Sequence, residues 1–284
     1  MWQLLLVSIA GYLAQLVDGA LGMAFGITCS SVLVALAFSP ASASAIVHLA
    51  ELGTTSISGV AHLRFGNVDR HTLIRVAIPG AAGAFIGAVF LSTVDLAAAK
   101  PWTSGLLLAL GVVVLYRFTR PTICERTHRG PTRWVTPLGF VGGIVDSTGG
   151  GGWGPIVTTT LTASSVLDPR TAIGTTNAAE FFVALAASIG FLIGMGTADI
   201  PWSAVGALLL GGMLAAPVAA WLVRSAPQRV LGVTVGAMVI FLNTHQLEIS
   251  LNTFPALFTA LYALEAMVIG YCLYTALRRV TREG

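Results

Sequence analysis

Apolar residues run along this chain in blocks that are too long and too closely spaced for a soluble core. They fall at 2–17, 21–38, 44–63, 72–94, 101–118, 134–147, 152–166, 171–195, 202–224, 229–243 and 254–277. Blocks 72–94, 171–195, 202–224 and 254–277 reach the roughly 20 residues that an α-helix needs to cross a bilayer. None has the dyad alternation of a transmembrane β-barrel. The pattern predicts an all-α polytopic membrane protein. Two pairs of blocks, 2–17 with 21–38 and 134–147 with 152–166, are short and divided by Asp and Gly. These predict helices that break or re-enter within the membrane.

The breaks belong to a duplication. "VDGALGMAFG" (17–26) matches "VDSTGGGGWG" (145–154), "FSPASASA" (38–45) answers "LDPRTAIG" (167–174), "HLAEL" (48–52) answers "NAAEF" (177–181), and "GNVD" (66–69) answers "GTAD" (196–199). The matches come in the same order in both halves, as a repeat requires. This divides the chain into a first repeat, 1–118; a connecting loop, 119–133; a second repeat, 134–243; and an extra C-terminal crossing with a basic tail, 244–284. Each repeat is a broken pair followed by three crossings.

Basic residues set the orientation. If 119–133 is cytoplasmic, counting crossings outward from it places fourteen of the fifteen Lys and Arg residues on that side and only Lys100 outside. The C-terminus is then cytoplasmic and the N-terminus outside. The two broken pairs enter from opposite faces, so the repeats are inverted. Inverted repeats with paired discontinuous helices are the signature of secondary transporters.

Composition supports this. Hydrophobic residues make up 55% of the chain and charged residues 10%, against about 25% charged in soluble domains. There is no room for a soluble catalytic or nucleic-acid-binding domain. Cys29, Cys124 and Cys272 form no redox or metal spacing. Neither metal nor cofactor is predicted. An enzyme is disfavoured because the chain lacks GxSxG and HExxH.

The candidate chemistry sits at the breaks. Gly149, Gly150, Gly151 and Gly152 are poor helix formers, and Trp153–Pro155 would start the next half-helix. A helix start has unpaired amides and the positive end of a dipole, which suits an anion. The apolar interiors carry no Lys or Arg, so a bound anion would rely on backbone and neutral donors. Gly22 and Gly26 mark the matching turn, and tight helix packing is the plainer reading of these glycines. Thr175, Thr176 and Asn177 are neutral donors beside Glu180, and the ionisable His48, one turn before Glu51, is a further substrate-binding candidate. Ionisable groups inside a membrane are functional candidates by default. Asp18 and Asp146 precede the breaks as caps or proton carriers. Glu51 and Glu180 follow His48 and Asn177 by one turn and are either proton carriers or helix ties. Glu265 has no repeat partner and is read as structural or at a homodimer contact.

The repeated "VDxxxGxxxG" break, the "NAAEF" helix and the duplicated plan resemble the TauE/SafE sulfite exporter family over nearly the whole chain. The resemblance implies a bacterial inner-membrane carrier of a small sulfur-containing anion: sulfite, thiosulfate or an organosulfonate such as sulfoacetate. Coupling to protons and alternating access would follow. The rival reading is a cation/proton exchanger that uses the same acids.

Overall fold

The computed structural model describes residues 2–119, 133–164, 166–222, 227–252 and 255–283. Cys124 and nearly all of the predicted 119–133 connection lie outside the described residues. Helix α1 (Trp2–Leu21) ends where Gly22 turns to φ +68°, and α2 (Phe25–Ala35) starts after three residues. The second break repeats this 128 residues later. There α6 (Val135–Gly149) ends at Gly150, with φ +73°, and the chain resumes as a π-helical turn (Gly154–Thr158) leading into α7 (Thr159–Ala163).

Three long helices follow each break. After the first come α3 (Pro40–Arg64), α4 (Arg70–Thr93) and α5 (Leu96–Thr119). After the second come α8 (Pro169–Met195), α9 (Trp202–Leu222) and α10 (Gln228–Leu251), with α11 (Pro255–Glu283) added at the end. The matched segments begin alike. Ser39 accepts a hydrogen bond from Ser42 N at 3.1 Å and Asp168 from Thr171 N at 3.1 Å, each just before a proline in the first helical turn. A side-chain cap followed by Pro is a strong helix start.

One boundary differs from the sequence reading. The block 229–243 is the core of a helix that runs on to Leu251, past the repeat boundary read at 243, while the last crossing starts at Pro255, beside the start of the apolar block 254–277. The polar turns of α10 are covered by α11: the Tyr262 hydroxyl donates to Glu248 at 2.7 Å and Thr244 donates to Glu265. Glu265 is thus a tie between the last two helices, with its second oxygen buried and unpartnered.

The halves interlock. Helix α1 packs on α9 and α6 on α4, while α3 packs on α8 and α5 on α10. Two cores result from corresponding positions. Val135, Trp153, Val157 and Leu161 pack with α4 and α8; Val7, Phe25, Cys29 and Leu33, each 128 residues earlier, pack with α3 and α9. Along α5 and α10 the contacts Gly111–Ile240, Leu115–Gly236 and Phe118–Gly232 step in opposite directions, so this pair is antiparallel.

Among the described residues five helices, α4, α5, α8, α10 and α11, are long and apolar enough to cross a membrane. Their outward faces carry Ile78, Phe90, Leu257, Met267 and Tyr271. An apolar surface of this extent belongs in a bilayer. Helix α3 is as long but carries the buried His48 and Glu51.

The two breaks touch at the centre. A Cβ on Gly151, whose φ is +150°, would lie 2.1 Å from the carbonyl carbon of Gly26 and from Ile27 N, and one on Gly26 would lie 2.5 Å from the Gly151 Cα. Here the glycines allow one backbone to lie against another. Gly26→Ala should therefore destabilise the protein by about 1–3 kcal/mol or more, read as a lower unfolding temperature in detergent. Gly105→Ala, whose Cβ would meet nothing within 4 Å, should cause no loss. Equal behaviour of the two variants would refute the contact.

Candidate functional site

Asp146 ends one helix and starts the next. Its carbonyl accepts from Gly150 N at 2.6 Å and Gly151 N at 3.0 Å, and its Oδ1 accepts from Gly152 N at 2.7 Å and Trp153 N at 2.9 Å. Asp18 does the same at the first break. Its carbonyl accepts from Gly22 N at 2.6 Å, and its Oδ1 from Ala24 N at 2.6 Å and Phe25 N at 3.2 Å. The side-chain contacts correspond residue for residue across the duplication. The capping reading of both aspartates is what the geometry displays. The expectation of unpaired amides at 150–153 is corrected: all four are engaged by Asp146, whose carboxylate sits where an anion would.

The carbonyls left by the second break are satisfied from three other helices. Ser44 donates to Ser147 O at 2.6 Å, Thr103 to Thr148 O at 3.2 Å, and Ser30 to Gly150 O. Hydrocarbon offers no donors, so irregular backbone at this depth needs such partners. The sequence reading missed these three hydroxyls. They stand on three different helices, among other hydroxyls, and no spacing pattern connects them.

His48 completes the site. It is fully buried, its Nδ1 lies 2.8 Å from the Ser44 carbonyl, and its Nε2 lies 3.1 Å from Asp146 Oδ2. A carbonyl only accepts, so the network assigns the hydrogen to Nδ1. Nε2 and Oδ2 can then face each other at bonding distance only with a proton between them. The pair is either imidazolium with carboxylate or imidazole with carboxylic acid.

The four predicted proton-coupling residues come together here. Glu51 is close enough to Glu180, Asp146 and Asp18 to feel their charges, and Glu180 to feel both aspartates. Glu51 is buried, its Oε1 lies 3.1 Å from where a Gly26 Cβ would sit, and its Oε2 has no partner. Thr28 Oγ1, on α2, is likewise buried and unpartnered.

The neutral donors of α8 are used by the protein itself. Thr175 Oγ1 accepts from Asp69 N at 3.0 Å, fixing the turn before α4. Thr176 Oγ1 donates to Ala172 O at 2.9 Å and accepts from Thr158 at 2.8 Å. Asn177 donates to Ile173 O at 3.0 Å and accepts from Ser58 at 3.3 Å. Trp153, 1% exposed, donates its indole N–H to Thr176 O at 3.0 Å, and its ring lies against Gly80 and Gly142. It pins the half-helix to α8. Gly149 packs on Leu106 and Gly22 on Ile173. Among the described residues no group of three or more His, Cys, Asp or Glu is arranged to hold a metal ion.

The reading of the apolar interiors as free of basic residues also needs amendment. Arg117, in the last turn of α5, is partly buried; its Nη1 donates to Thr159 at 2.7 Å and lies 3.0 Å from the sulfur of Met23. It thereby touches both broken segments.

The chain matches the family model described as sulfite exporter TauE/SafE over residues 7–245. It is 45% identical over 272 residues to a protein of Bacillus subtilis (strain 168) named probable membrane transporter protein YtnM, a match that covers 93% of this chain and 90% of that protein. No solved structure matches. The chain belongs to the TauE/SafE family and is a membrane transporter.

The double use of Asp146 has a measurable consequence. Asp146→Ala leaves two buried amides without an acceptor, at about 1–3 kcal/mol each. Asp146→Asn keeps an oxygen for them. Thermal unfolding in detergent should show a much larger loss for alanine than for asparagine. Equal losses would mean that the amides do not depend on this side chain.

Proposed function

We propose that this TauE/SafE member is a secondary transporter of a small sulfur-containing anion: sulfite, thiosulfate or an organosulfonate such as sulfoacetate. It works by alternating access between inverted repeats and is coupled to protons. Its place is the bacterial inner membrane, with the C-terminus cytoplasmic, the N-terminus outside, and a homodimer as the assembled unit. The observation that carries the reading is the meeting of two glycine breaks, each with an aspartate on the start of a half-helix and with acids around both.

The arrangement supports a coupling mechanism. Asp146 occupies the amides of Gly152 and Trp153 as an internal anion. A substrate anion arriving at the same amides must displace it. A displaced carboxylate in a dry centre is costly unless it is protonated, and the proton shared with His48 is within reach. That proton is already at the site, so the exchange by itself adds one anion; a proton taken up through the neighbouring acids balances the added charge, and one anion and one proton then cross together. Glu51 and Glu180 relay that proton to one face or the other.

The acids also support a competing reading. Glu51 Oε2 is buried without a donor, which would suit a cation/proton exchanger. Purified protein in liposomes decides between them. Sulfite, thiosulfate, sulfoacetate, sulfate and chloride are supplied in turn, and current and lumenal pH are recorded. We expect movement of a sulfur anion driven by a pH gradient, and loss of that driving in Glu180→Gln and Glu51→Gln while the anion still binds. A Na⁺-dependent signal indifferent to every anion would replace this proposal with cation exchange.

A further inference from the structure

The antiparallel α5/α10 pair carries a second correspondence between the halves. Arg117 on α5 donates to Thr159 in the second broken segment at 2.7 Å; Asn243 on α10 donates to Ser31 in the first at 2.8 Å. Thr159 lies 128 residues after Ser31, and the donors, 126 residues apart, stand within two positions of that register, so the two bonds join matching helices of opposite halves. By the contacts along the pair, Asn243 stands level with residues near Leu107. The two side chains are therefore roughly ten residues of helix, or about 15 Å, apart along the axis. They guard opposite sides of the point where the breaks meet.

The two positions differ in charge. Asn243 is fully buried, its amide also donates to Val239 O at 2.8 Å, and its Oδ1 has no partner. Arg117 brings a full positive charge. Its described contacts are a hydroxyl, a thioether and the ring of Phe118, 5.8 Å from the guanidinium carbon. No described carboxylate pairs with it, although four acids lie at the neighbouring centre. A guanidinium has five donors, and a partly desolvated cation without a counter-ion attracts an anion.

We propose that Arg117 engages the substrate anion at one mouth of the transport path, and that Asn243 is its uncharged counterpart at the other. The affinity for the anion is then set separately at the two faces. This rests on the anion-transport reading above and adds the residue that makes the two sides unequal. The charged mouth is the one adjoining the 119–133 connection, cytoplasmic by the distribution of basic residues. An anion leaving the cell meets the guanidinium first; an anion entering meets the amide.

Radiolabelled thiosulfate and sulfite uptake into everted and right-side-out membrane vesicles tests this. Arg117→Gln should raise KM roughly tenfold or more at the face adjoining the connection, as loss of a charged hydrogen-bond partner does, with KM at the other face changed by less than about twofold. Arg117→Lys should keep part of the affinity, since the charge stays but the fork is lost. Asn243→Asp should raise KM at the opposite face only. Thr159→Val, which frees the guanidinium without removing its charge, should move KM at the Arg117 face and serves if Arg117→Gln does not fold. An equal rise at both faces, or a fall in kcat with KM constant, overturns the proposal and makes Arg117 a helix tie or an anchor for a lipid phosphate. If the unaltered protein takes up neither anion at either face, the anion-transport reading falls and this proposal with it. One-sided effects missing from an active protein defeat this proposal alone.

Discussion

A helix that stops inside a bilayer leaves its last carbonyls and the next helix's first amides facing a medium with no hydrogen bonds to offer. One aspartate resolves both ends. Asp146 closes α6 through its carbonyl and opens the following turn through its carboxylate, and Asp18 does the same between α1 and α2. The spacing explains why an acid stands beside the glycines. Four residues on, Gly150 can take a left-handed turn; six and seven residues on, the amides fold back over the side chain. Without the carboxylate the gap would have unpaired amides, and without the glycines the chain could not return to it.

The rest of the fold is arranged around keeping two such gaps in contact. Gly26 and Gly151 touch backbone to backbone, and hydroxyls from α2, α3 and α5 reach the loose carbonyls of the second gap. Each first helix of a broken pair packs against a helix of the other half, α1 on α9 and α6 on α4. Neither half completes its own core. On the alternating-access reading proposed above, opening the centre to one side slides these interlocked pairs against each other. This favours small rigid displacements around the glycine contact.

Much of this could be read in the residues. The helix order, the two breaks and the Pro-preceding caps follow from short motifs with a local physical cause. Asp18, Asp146, Glu51 and Glu180 could be singled out one by one, because an acid in an apolar block has few uses, but not their meeting at one place. The details that were missed depend on which helix faces which. Ser30, Ser44 and Thr103 are hydroxyls on three separate helices, each with other hydroxyls nearby, and only the packing shows that these three serve one gap. Arg117 stands at the end of an apolar block, where a basic residue ordinarily marks the membrane boundary, and its reach back to Met23 and Thr159 leaves no trace in the sequence. The glycine run was read as a row of free amides because the acceptor that consumes them, Asp146, can cap or remain apart with the same sequence.

On the anion-transport reading proposed above, the charge balance of the centre suits a transported anion better than a permanently held one. Asp18 and Asp146 each have amides to stabilise a negative charge, and Asp146 has His48 as well. Glu51 Oε2 has no donor, so a negative charge there would be uncompensated. A further anion that takes amides from an aspartate releases a carboxylate, and His48 is the described donor already beside Asp146. Occupancy of the amides and protonation of the acids are therefore linked by the geometry of one residue. On the proposed reading, the returning aspartate displaces the anion, as a carrier requires and a storage site does not.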